Sequence, residues 1–131
     1  MYGESDGVIN MKLNDGQKIY LGDRSIEKIL FETVNNKISI TFDCLSIFET
    51  EYWIPGESID VNNCVIDFLN VRNYKIFPEG MMPNDYIIDL KISNSQFKLK
   101  TLGEVYSLEI LDYETVEGYV FIEYEDYFIH I

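Results

Sequence analysis

Imidazole, thiol and proline are scarce in this chain: 131 residues hold 2 cysteines, 3 prolines and 1 histidine. Each shortage narrows what it can do. Cys44 and Cys64 lack Cys-x-x-Cys spacing, and with one histidine available they fall short of the ligand set of a zinc site. His130 stands one residue from the C-terminus, the position where a catalytic base is most prone to fray. No glycine cluster has the spacing of a phosphate-cradling loop. Asp112-Tyr113-Glu114 offers alternate carboxylates without the glycine and distal glutamate of an EF-hand. Paired carboxylates are plentiful, but a small sheet-based domain leaves little room for a deep cleft holding two of them ~5 to 9.5 Å apart. The sequence therefore assigns no catalytic residue, no metal ligand and no cofactor, and a non-enzyme is expected.

Long hydrophobic runs are missing as well. Nothing approaches the ~18 apolar residues that cross a bilayer, and Met1-Tyr2-Gly3-Glu4-Ser5-Asp6-Gly7 is polar and acidic where a secretory signal is basic and then apolar. Residues 1–9 read as a loose leader. A cytoplasmic protein with reduced thiols is expected.

Positive charge is the remaining shortage. Lys and Arg number 10 against 23 Asp and Glu, for a net charge of −13. No Lys or Arg follows Lys100, whereas residues 101–131 contain Glu104, Glu109, Asp112, Glu114, Glu117, Glu123, Glu125 and Asp126. More than half of the excess charge thus lies in the last quarter of the chain. Such a field repels nucleic acid and anionic membranes and favours a basic protein partner.

What is present is apolar and aromatic. Hydrophobic content of 47% and aromatic content of 15% mark a folded chain, and its length suits one domain spanning 1–131. No stretch of roughly ten residues repeats its apolar positions with a 3.6 period, which excludes alternating βαβ architecture. Residues 26–33 and 37–48 are β-rich and flank Asn35-Asn36, since Asn tolerates the positive φ of a tight turn. A two-residue loop there would set Phe31 against Ile40, Ile29 against Phe42 and Lys28 against Asp43. Cys44 is then a small buried thiol. Asn62-Asn63 reads as a turn before a strand at 64–69, which Val71 to Phe77 continues after an irregularity near Asn70 or Asn73, and Pro78 to Asn84 reads as a loop. Period two places Tyr86, Ile88, Leu90 and Ile92 inward. The expected fold is mainly β, an antiparallel two-layer sandwich or partly open barrel of about seven or eight strands, with one short N-terminal helix possible within 11–20.

The same alternation sorts the C-terminal stretch. Tyr106, Leu108 and Ile110 with Val120, Ile122 and Tyr124 form the expected inward face. If the two strands pair, Glu109, Tyr119, Phe121, Glu123 and Glu125 gather on the other, a carboxylate-and-aromatic surface suited to a cationic protein partner. Trp53, the only tryptophan, sits in a Pro-Gly connection as a second candidate anchor. Tyr52, Trp53 and the Met81-Met82 loop would serve the alternative, a module that binds a small ligand or glycan.

Gln17-Lys18-Ile19-Tyr20-Leu21-Gly22-Asp23-Arg24, then Val65-Ile66-Asp67-Phe68 and Pro83-Asn84-Asp85-Tyr86-Ile87, resemble the pattern of a family of small bacterial proteins of unknown function. The Tyr-Leu-Gly-Asp-Arg piece is its sharpest motif. The overall layout is similar to that of immunity proteins of bacterial toxin systems, which are small, often acidic and cytoplasmic. The resemblance implies a protein that binds and neutralises a toxin, and it carries over no catalytic residue.

Overall fold

A computed structural model describes residues 10–14, 16–20, 24–77 and 86–130. The leader at 1–9, the Leu21-Gly22-Asp23 part of the motif and the 78–84 loop with Met81 and Met82 lie outside the described residues. The elements are β1 (Asn10–Met11), β2 (Lys18–Tyr20), β3 (Ile26–Glu32), a 3-10 turn (Thr33–Asn35), β4 (Lys37–Phe48), β5 (Ile59–Leu69), β6 (Asn73–Phe77), β7 (Tyr86–Ile92), β8 (Gln96–Ser107), β9 (Asp112–Glu123) and β10 (Asp126–His130). The architecture is mainly β, in two antiparallel sheets, one of them curled. It has more strands than expected, because the 11–20 stretch forms β1 and β2 in place of a helix. Ile19 lies opposite Ile47 of β4, and that pairing outweighs the weak helical propensity of a segment containing Gly16.

One sheet runs in the order β6-β9-β8-β7. The other runs β1-β10-β5-β4-β2, with β3 paired to the remaining length of β4. Strand β4 is the hub, flanked by β5 on one edge and by β3 and β2 in tandem on the other. Phe42, Leu45, Ile66, Phe68, Phe97, Leu99, Val120, Ile122 and Tyr124 are fully or nearly fully buried in a single cluster shared by both sheets. Phe68 joins the layers, its ring centroid 4.8 Å from Phe97 and 4.9 Å from Tyr124.

The curl has a local cause. In β4 the core residues are Ile38, Ile40 and Phe42, then Leu45 and Ile47, so the inward parity changes at Asp43-Cys44. Opposite, in β5, parity changes between Val61 and Cys64, and Asn63 takes φ 51. An Asn in the left-handed region is tolerated, and here it turns the strand over within the ladder. The Asn62-Asn63 signal is therefore a bend inside β5, not a turn before it. Asp43 Oδ1 holds the bend by accepting from the backbone N–H of Ser25 at 3.0 Å and of Cys44 at 2.7 Å.

Three register expectations change. The β3–β4 loop is four residues long, with Asn36 at φ 51, so Phe31 faces Ile38, Ile29 faces Ile40 and Lys28 faces Thr41. A slip of two preserves the apolar face but removes the Lys28–Asp43 pair. Cys64 is the fully buried thiol, raised to about 12 by burial and by Cys44, while Cys44 is half-buried. In β7 a register irregularity between Ile87 and Asp89 swaps parity, so Ile87 is buried whereas Tyr86 and Ile88 are exposed.

Candidate partner-binding surface

The β8–β9 hairpin is two structures in one. Over 96–102 and 119–123 it is the centre of a four-stranded sheet. Strand β7 pairs with β8 only as far as Leu102, and β6 pairs with β9 only as far as Tyr119. Among the described residues, 103–107 and 112–116 pair only with each other, and 108–111 form the tip, with Leu111 at φ 55. The outer half is thus a two-stranded arm projecting from the sheet.

Its composition is unusual for a projection. Leu108 is 82% exposed and Leu111 72%, and Ile110, Tyr106, Tyr113 and Val105 are exposed as well. Tyr106 and Tyr113 meet edge to face across the ladder at 5.3 Å. Glu104, Glu109, Asp112, Glu114 and Glu117 are all exposed, and the arm has no Lys or Arg. Apolar surface rimmed by charge of one sign is the chemistry of a contact region.

At the arm's base Gly118 lies opposite Thr101. A Cβ on Gly118 would collide with the Thr101 hydroxyl, which is itself buried without a hydrogen-bond partner among the described residues. The absence of a side chain lets the two strands stay paired as they leave the core.

The sequence-derived surface divides between the two halves. Val120, Ile122 and Tyr124 are buried as expected, but Tyr106, Leu108 and Ile110 are exposed, because among the described residues no opposing sheet reaches them. Glu109 is in the tip. Glu123 sits at the other end of β9, roughly 35 Å away at ~3.3 Å per residue, where it accepts from Gln96 and Asn73. Glu125 is in the β9–β10 turn near Asn70. Tyr119 and Phe121 are half-buried, and their cross-strand neighbours are Lys100 and Lys98 rather than carboxylates. The five residues therefore do not form one acidic face. The missed signal was in the ladder: a hairpin closed at 107–112 runs lysines beside those aromatics.

Trp53 stacks on Tyr20 with centroids 4.3 Å apart and planes 20° apart. Arg24 lies 5.3 Å from the same Tyr20 ring and donates to Ser46 Oγ at 2.6 Å. Tyr20 and Arg24, the described ends of the motif, thus tie β2 to β4 and to the β4–β5 connection. Asp60, beside them, is held below the ordinary carboxylate range by hydrogen bonds from Ser46 and Ser58, with Arg24 adding to the effect.

A second polar group lies on β4, β5 and β10. Asp67 accepts from Ser39 Oγ at 2.5 Å, and its other oxygen is 2.5 Å from His130 Nε2 and 3.6 Å from Lys37 Nζ. Burial pushes the Asp67 carboxyl up, but the bonds to Ser39 and His130 and the charges of His130 and Lys37 outweigh it and hold it low. Because Asp67 stands between Ser39 and His130, the imidazole is not placed to take the hydroxyl proton. The network ties strands together. Among the described residues no group of three or more His, Cys, Asp or Glu could hold a metal ion, and no helix is long and apolar enough to cross a membrane.

One open cavity of about 280 Å³ lies between the β3–β4 hairpin and the start of β6, lined by Phe31, Lys37, Arg72, Asn73 and Tyr74 among others. It is distant in sequence from Trp53, where a ligand site was expected.

Comparisons with curated proteins and with solved structures find no match. A family model described as "Family of unknown function (DUF6258)" matches residues 11–119, which covers β1 through most of β9. The chain belongs to this family of unknown function.

Proposed function

We propose that the chain is a non-enzymatic immunity-type protein of the bacterial cytoplasm that neutralises a toxin by binding it. The acidic outer half of the β8–β9 hairpin is the contact element. What carries this reading is the arm itself, which combines Leu108, Ile110, Leu111 and Tyr113 with five carboxylates and no cation. Its field steers a basic partner, and its apolar tip supplies contact area once the partner arrives. Trp53 braces the β2–β4 end of the molecule, so the principal contact moves away from it to the arm.

Co-expression with the product of the neighbouring gene tests the proposal. A complex that weakens as salt rises is expected. Reversing Glu104, Glu109 and Glu114 to Lys lowers affinity at least about tenfold, whereas reversing Glu123 and Glu125 changes it little. Equal losses from both sets move the contact off the arm.

The cavity supports a second reading, a small-ligand site. Phe31 and Tyr74 meet there at 5.1 Å, and Arg72 has no carboxylate within ion-pair distance among the described residues. Ligand-induced shifts confined to these residues favour it over the arm.

A further inference from the structure

The outer face of the β6-β9-β8-β7 sheet carries opposite charges at its two ends. Strand register places Lys75, Phe121, Lys98 and Lys91 in one row across all four strands, and Phe77, Tyr119, Lys100 and Asp89 in the next row that faces the same way. All four lysines are exposed, and none has a carboxylate within ion-pair distance among the described residues. Among the described residues of this end, Asp89 and Glu123 are the carboxylates, against four lysines, in a protein of net charge −13.

Alternate residues of one strand share a face, so the same surface continues along the hairpin. There Leu102 pairs with Glu117, Glu104 with Thr115 and Tyr106 with Tyr113. Charge changes sign between residues 100 and 102. Apolar side chains accompany the charges, from half-buried Phe121 in the lysine row through Phe77 and Tyr86, each 64% exposed, to Tyr113 at 60%.

A face that is basic at one end, acidic at the other and apolar throughout complements itself when turned end for end. We propose that this face is a two-fold interface between two copies of the chain. A two-fold axis lying in the contact plane, across the strands between residues 100 and 102, sets Lys98 over Glu104 of the second copy. It also sets Tyr119 over Glu117 of that copy, and every contact occurs twice. Such an isologous contact closes at two copies and leaves no open edge for filaments. A second copy is favoured over other occupants because Lys98 and Glu104 stand at equal distances on either side of the axis, so that their ion pair forms twice, while Lys100 falls over Leu102 and Lys75 and Lys91 flank the arm of the second copy.

Size sets the strength. The two-fold sets the four-stranded half of one copy against the two-stranded arm of the other, so the contact is two strands wide at ~4.8 Å spacing over roughly 35 Å and covers on the order of 350 Å² per copy, below the size of a stable specific interface and in the range of a transient one. The dimer is weak and salt-sensitive.

Sedimentation velocity on the isolated chain, with no other protein added, tests this independently of any toxin partner. A monomer–dimer equilibrium that shifts to monomer as salt rises is expected. K98E/K100E and E104K/E117K are each monomeric, since each sets like charges opposite one another at the 98–104 contact. Mixed one to one, the two variants form a heterodimer, and the quadruple variant that carries both swaps dimerises with itself. A wild-type chain that stays monomeric at every concentration overturns the proposal. So does a dimer indifferent to both swaps, or a mixture that stays monomeric while circular dichroism shows both variants folded.

Discussion

The inner and outer halves of the β8–β9 hairpin share one ladder and one alternation, yet they meet opposite environments. Phe97, Leu99, Val120 and Ile122 are buried, while Val105, Tyr106, Ile110 and Tyr113 are exposed. Propensity does not distinguish them, since both halves are rich in aromatic and β-branched residues. The difference is what lies opposite. Inner residues face Phe68 and its neighbours on the second sheet, and the outer ones have no opposing layer among the described residues. Period two tells which residues share a face, but only a facing layer makes that face a core.

Truncation breaks the comparison most sharply. Leu99→Ala removes a fully buried side chain and costs about 2–5 kcal/mol in denaturant unfolding. At the boundary between the halves, Gly118→Ala forces a Cβ against Thr101 and costs about 1–3 kcal/mol by the same measurement. Thr101→Ser does not open that space, because the hydroxyl remains, whereas Thr101→Ala in the G118A background recovers much of the loss.

Carboxylates show the same contrast. Asp67 has a depressed pKa in the folded chain, so its stabilisation is fully present above its unfolded pKa and is lost as pH falls through the folded one. Unfolding followed from neutral to acid pH therefore shows a decline below the ordinary carboxylate range. Asp67→Asn removes that component and costs about 1–3 kcal/mol near neutrality. The arm carboxylates are exposed and make no ion pair among the described residues, so Glu104→Gln and Glu114→Gln change stability near neutrality by about 0.5 kcal/mol at most, well below Asp67→Asn. The smallest effect is at the tip, where Leu108→Ala and Leu111→Ala change stability by less than about 0.5 kcal/mol. A larger loss there means that the arm is packed against something in the free protein.

Much of the layout was legible. The β3–β4 hairpin and the inward Val120, Ile122 and Tyr124 follow from alternation and turn chemistry, and the acidic end from composition, whereas residues 73–77 do not continue β5 past Asn70 but cross to the other sheet as β6. The errors fall where one residue changes parity without a composition signal. Asn63 bends a strand instead of closing a turn, and the irregularity beside Ile88 exchanges which of Tyr86 and Ile87 is buried. A shift of one residue moves every side chain to the other face, and sequence alone does not locate it. The candidate site was legible by charge and misplaced by geometry. Glu109 belongs to the arm as its composition promised, but hairpin closure at Ser107 and Asp112 sends Glu123 to the far end and seats Phe121 among lysines.

The sequence by itself determined the class of this protein: a strand-rich chain with a strong negative charge concentrated near its end. Those follow from local period and composition, which need no knowledge of neighbours. Only the tertiary structure decided where the hairpin leaves the core, and that its one continuous face changes from basic to acidic. Both depend on which strands stop beside it, since β6 ends at Phe77 and β7 starts at Tyr86, and among the described residues the arm beyond them keeps its pairing without a layer over it.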